Sequence, residues 1–121
     1  MATLNELKEY IGYEFSTGCY TGQDYKRFQT KYINYLRRFC KDNNWELCKV
    51  MRNHYCFSCF IKNNDKYVYL SISDVRHYEP DWFNHVLIRR ADSDKDYHGH
   101  CNNYCSLPDL QENIERLFSY A

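Results

Sequence analysis

The 121-residue chain contains no apolar run near the ~20 residues that cross a bilayer, and this excludes a membrane-spanning helix. Its first residues lack the basic, apolar and small-residue order of a signal peptide, so a soluble cytoplasmic protein is expected. Also missing are a glycine-rich phosphate loop, a GxSxG nucleophile elbow and a His-Glu-x-x-His run, which removes the motif-based readings of nucleotide hydrolase, serine hydrolase and zinc protease. We expect no enzyme and no cofactor. Net charge is absent as well, with 16 basic against 16 acidic residues, and there is no internal repeat or low-complexity segment. One domain over residues 1–121 follows, long enough to bury a core without disulfides.

What is present is unevenly placed. Asp24 and Asp42 are the only acids in residues 22–43, against six Lys and Arg, whereas residues 74–121 are net acidic. Tyrosine supplies 13 residues, and its combination of apolar ring and polar tip suits surfaces that are partly buried or meet a partner. Seven cysteines, an odd number with no export signal, argue for reduced thiols rather than a disulfide framework.

The organising unit is residues 25–74. Tyr25, Phe28, Tyr32, Leu36, Phe39 and Cys40 recur at spacings of three and four, the buried stripe of an amphipathic helix ending near Asn43. Its other side carries Arg27, Lys31, Arg38 and Lys41, with Lys26 and Arg37 on the flanks. Asp42, Asn43 and Asn44 tolerate the left-handed backbone that stops a helix. Three strands follow. Residues 45–52 set Trp45, Leu47 and Met51 on one face, with the period of two interrupted at Lys49 and Val50; residues 55–62 alternate Phe57, Cys59 and Ile61 with Cys56, Ser58 and Phe60. The tripeptide Asn63-Asn64-Asp65 is a hairpin turn, and residues 66–74 alternate Val68, Leu70 and Ile72 with Tyr67, Tyr69, Ser71 and Ser73.

Outside that unit, Thr3 to Glu6 form a capping box ahead of a short first helix with Leu4, Leu7 and Ile11 on one face. Residues 12–22 are a polar connection. Residues 82–90 predict a fourth strand with Trp82, Val86 and Ile88 on one face, and residues 91–105 a long loop. Ser106 caps a last helix, with Pro108 in its first turn and an inward stripe of Leu107, Leu110, Ile114, Leu117 and Phe118. The fold class is α+β: an antiparallel sheet of three to four strands with two or three helices packed on one face, in the order α-α-β-β-β-β-α.

Cys56 and Cys59 have zinc-ligand spacing, and His98, His100, Cys101 and Cys105 could complete a tetrahedral site. Residues three apart on a strand point to opposite faces, however, so these cysteines are read as small apolar core residues and no metal is expected. The basic helix face suits phosphates or an acidic protein surface. The Tyr67 and Tyr69 face suits stacked bases or a flat interface, unless residues 12–22 cover it. Candidate partner contacts are therefore Arg27, Lys31, Arg38, Lys41, Tyr67 and Tyr69, with Asp92, Asp94 and Asp96 as an acidic phosphate mimic.

The order helix, three strands, helix over residues 25–72 and 107–118 resembles the topology of double-stranded RNA-binding domains. Those domains grip phosphates with a lysine-rich start to the final helix; here that start reads Ser106 to Glu112 and is acidic. In size and texture the chain is similar to the Tyr- and Asn-rich accessory proteins of phages and conjugative elements, the pool that includes anti-CRISPR inhibitors. That resemblance implies a non-enzymatic interaction protein of a mobile genetic element, acting by stoichiometric binding to a host nucleoprotein or defence complex such as a CRISPR nuclease, with no membrane partner. The alternative is a domain that binds nucleic acid directly through the same helix and the Tyr-rich sheet face.

Overall fold

The structure, a computed structural model, describes residues 22–52, 57–72, 86–98 and 100–119. Helix α1 (Gly22–Asp42) leads into an antiparallel meander of five strands, β1 (Glu46–Arg52), β2 (Phe57–Asn63), β3 (Lys66–Ile72), β4 (Val86–Ala91) and β5 (Asn103–Cys105), and helix α2 (Leu110–Phe118) closes the order. Both helices lie on one face of the sheet, so the α+β reading holds, with five strands where the sequence predicts three to four. The predicted helix over residues 3–11, and Trp82 at the start of the fourth strand, lie outside the described residues. Among the described residues no helix is long and apolar enough to cross a membrane.

Helix α1 ends as its asparagines require. Asn44 takes a φ of 58°, and the two amides after the last turn fold back, Trp45 N–H onto the Cys40 carbonyl at 2.8 Å and Asn44 N–H onto the Lys41 carbonyl at 3.1 Å. This pair of bonds is a Schellman cap, and the apolar contact that accompanies such caps is the Phe39 ring against Trp45, 5.7 Å between centroids. The Asn43 side-chain amide satisfies the Phe39 carbonyl at 2.9 Å. The cap turns the chain directly into β1.

Helix burial follows the predicted stripe where side chains are described: Tyr32, Leu36 and Cys40 are buried, joined by Ile33, while Tyr35 and Phe39 are partly buried against the core. The side chains of Tyr25 and Phe28 lie outside the described residues. Strand register sets the faces, since antiparallel partners share a side. Across the sheet Cys59 stands opposite Leu70 and Leu70 opposite Ile88, Phe57 opposite Ile72 and Ile72 opposite Val86, and Ile61 opposite Val68. Phe57, Cys59, Ile61, Val68, Leu70, Val86 and Ile88, together with Cys105, form the core beneath the helices. From α2 come Leu110, Ile114, Leu117 and Phe118. Phe118 reaches Trp45 at 5.2 Å and its carbonyl accepts a bond from Lys66 Nζ at 2.7 Å, tying the last helix to the first corner.

Three local expectations need correction, and a fourth gains its physical cause. The interruption at Lys49 and Val50 is a β-bulge: the register of β1 shifts between Cys48 and Met51 and Lys49 takes a φ of 52°. The extra residue swaps the faces beyond it, so Val50 packs on the core and Met51, predicted to share a face with Leu47, is exposed. The end of the predicted loop over residues 91–105 is a fifth strand, too short for alternation to register. Helix α2 begins at Leu110, not at Ser106, because Ser106 Oγ donates to the Asp109 carboxylate at 2.8 Å and residues 106–109 form a separate turn.

Leu70→Ala, which empties a fully buried site at the centre of the sheet, is expected to lower unfolding free energy by about 2–5 kcal/mol in urea denaturation.

Candidate interaction surface

Helix α1 turns Lys31, Arg37, Arg38 and Lys41 to solvent, since its opposite side is filled by Tyr32, Leu36 and Cys40. The predicted Lys31, Arg38 and Lys41 thus share one exposed face, while the Arg27 side chain lies outside the described residues. Arg38 Nε bonds both oxygens of Asp42, at 3.1 and 3.3 Å, an exposed i, i+4 pair of small energetic weight. Among the described residues no side-chain hydrogen bond or ion pair engages Arg37 or Lys41.

Beside this face a groove of about 340 Å³ runs between α1 and the edge strand β1, lined by Thr30, Ile33, Asn34, Arg37, Val50 and Arg52. The Arg52 guanidinium donates to the Thr30 hydroxyl and so bridges strand to helix. Two arginines therefore flank an apolar floor of Ile33 and Val50. Sequence reasoning missed Arg52 because its position beside the helix depends on the bulge at Lys49; the broken alternation there was the available signal.

The second sheet face is organised around Phe60, which is fully buried although it points away from the helices. Its cover is the β4–β5 loop. The rings of Phe60, Tyr69 and Tyr97 meet edge to face in all three pairs, at 5.3, 5.2 and 6.0 Å. Arg89, 8% exposed, lies with Cζ 4.5 Å over the Tyr69 ring and donates to the Asp96 carbonyl and to Asn102 Oδ1, each at 3.4 Å, while its Nε has no partner among the described residues. Tyr97 also places its hydroxyl 3.8 Å from Met51 Sδ, and Lys49 Nζ sits 4.0 Å from Asp94. The loop is thereby tied to strands at both ends of the face.

This arrangement locates the remaining predicted contacts. Tyr69 is half-buried within the ring cluster, and Tyr67 is half-buried with Lys62 Nζ 5.7 Å from its ring. Asp92, Asp94 and Asp96 serve the loop itself: Asp96 accepts the amides of Asp92 at 2.9 Å and His98 at 3.2 Å, Asp94 meets Lys49, and Asp92 meets His100 at 2.9 Å. Tyr69 is covered by Tyr97 of the β4–β5 loop; residues 12–21, an alternative cover expected for this face, lie outside the described residues.

The described members of the cysteine and histidine set do not converge. Cys59 and Cys105 are buried in the core beneath the helices, His98, His100 and Cys101 are exposed, and Cys56 lies outside the described residues. Burial pushes the Cys40 thiol up to about 12 and Cys105 to about 11, raises Cys59 further, and raises Cys48. Such thiols are poor nucleophiles and poor ligands. The loop does gather a different donor set, Asp92, Asp96 and His100.

Two outcomes follow. Tyr97→Ala uncovers Phe60 and is expected to cost about 1–2 kcal/mol of stability, whereas Tyr97→Phe, which keeps the rings, stays within about 0.5 kcal/mol of the parent by chemical denaturation. The buried thiols also set an alkaline limit. Above the ordinary thiol value of 9.0 the unfolded chain ionises while folded Cys40 stays protonated until about 12, so stability is full below the first value and falls as pH rises toward the second. Urea midpoints at about pH 8 and about pH 10.5 should show this loss, reduced in Cys40→Ala.

Comparison with protein-family models, with curated proteins and with solved structures finds no match to this chain.

Proposed function

We propose that the protein is a non-enzymatic binding module that docks the basic face of α1 and its adjoining groove onto an anionic surface of a host nucleoprotein complex. The single observation that carries this reading is the segregation of charge: Lys31, Arg37, Arg38 and Lys41 share the solvent side of one helix, and Arg52 extends the positive field across the groove. A helix needing only solubility mixes signs at i, i+4. Asp42 is the one acid described on this face. The resemblance to accessory proteins of mobile elements supplies the class of target, a defence complex of the CRISPR type, with inhibition by stoichiometric occupancy as its consequence.

The contact surface in this reading is the helix and groove rather than the tyrosine face, since Tyr69 is already packed under Tyr97 and Arg89. The runner-up, direct nucleic-acid binding, draws on the same cations and differs in its salt response. Each phosphate neutralised releases a counterion, giving a slope in log affinity against log salt of about −0.7 to −0.9 per contact.

Charge reversal at exposed sites tests the reading without disturbing the core. Arg37→Glu with Lys41→Glu is expected to lower capture of the partner from nuclease-treated host lysate by about tenfold or more, with an unchanged thermal midpoint. Unchanged capture would refute the basic-face reading. Loss of all capture on nuclease treatment of the parent protein, with a steep salt slope, would put direct nucleic-acid binding in its place.

A further inference from the structure

Asp92, Asp96 and His100, spaced four apart along the β4–β5 loop, bring one donor atom each within 4.8 Å of one another. The set is more than an acidic patch, because one of the three donors is an imidazole: His100 Nε2 lies 2.9 Å from Asp92 Oδ1. Nitrogen and oxygen ligands bound at ~2.0–2.2 Å to one first-row ion sit ~3 Å apart when adjacent and ~4.2 Å apart when opposite. The His100 and Asp92 atoms already stand at the separation of neighbouring ligands. The widest gap in the set exceeds that of opposite ligands by about half an ångström.

Arg89, the buried cation under the loop, spends its bonds on the Asp96 carbonyl and on Asn102, not on a carboxylate. Two carboxylates and an imidazole converge there. The backbone that presents them is held in place, since the Asp92 and His98 amides orient the Asp96 carboxylate and Tyr97 is locked into the ring cluster. Ligands oriented in this way by other bonds are what a metal site needs from its outer layer.

We propose that Asp92, Asp96 and His100 bind a divalent first-row transition metal, of the Zn²⁺, Mn²⁺ or Co²⁺ class, with water completing the coordination on the exposed side. An imidazole beside two carboxylates selects this class over Ca²⁺ and Mg²⁺, which take oxygen ligands, and the lack of a thiolate in the set removes copper(I). Bound there, the ion links the start of the loop at Asp92 to its end at His100 and so holds the cover over Phe60, Tyr69 and Arg89. The role is structural, and it is independent of the basic face of α1.

The test uses the full chain after chelator treatment and dialysis, titrated with MnCl₂ by calorimetry and followed by electron paramagnetic resonance. One saturable equivalent is expected, with affinity lowered about tenfold or more in His100→Ala and in Asp92→Asn and unchanged in Cys101→Ser. Native protein supplies a readout that needs no variant: substoichiometric Mn²⁺ should broaden the His100 ring signals in proton NMR before those of His98. Absence of saturable binding at millimolar Mn²⁺, binding that survives His100→Ala, or broadening centred on His98 would each overturn the proposal.

Discussion

A single strand imposes the main constraint on this protein. In β2, Phe57 and Phe60 stand three residues apart and so face opposite sides of the sheet, yet both are fully buried. Neither side can be left to water. The two helices cover the Phe57 side with their stripes. On the Phe60 side the cover among the described residues is the β4–β5 loop, which crosses it with Tyr97 and is anchored by Arg89 beneath and by Lys49 and Met51 at the far edge. The loop is thus part of the fold rather than an appendage to it.

The same division separates packing from exposed charge. Tyr69 is taken up by the loop, while the cations of α1 and its groove lie exposed to solvent. The apolar contacts that hold α1 to the sheet, such as Tyr32 against Phe57 at 5.0 Å, lie on the side away from Arg38 and Lys41. Changing the exposed cations therefore alters the field of the molecule and leaves the packing intact. Buried arginine is handled differently: Arg89 gives its charge to an aromatic face and two neutral acceptors, an arrangement that fixes the loop's path at some cost in desolvation.

Several features were legible because the physics behind them is local. Helix α1 and its end were readable from a 3.6-residue period and from two asparagines suited to positive φ, and Asn44 adopts it. The β2 to β3 hairpin was readable from period-two alternation around Asn64, which takes a φ of 57°. The basic side of α1 follows from burying the other side. Each depends on residues within a turn or a few pleats of one another, so the chain carries the information in adjacent letters.

Other features waited for tertiary structure because they depend on partners far apart in the chain. Lys49 occupies a left-handed bulge only because β1 must keep register with β2, and that bulge is what sends Val50 inward, exposes Met51 and sets Arg52 beside Thr30. β5 is a strand only because the edge of β4 accepts it. The acids of the β4–β5 loop read as a charged surface run, yet the structure spends their carboxylates on amides, on Lys49 and on His100. By itself the sequence determined the periods, the helix stop and the segregation of charge; only the tertiary structure decided which sheet face needed a cover and which segment supplied it, because strand register and loop docking are settled by contacts between distant residues.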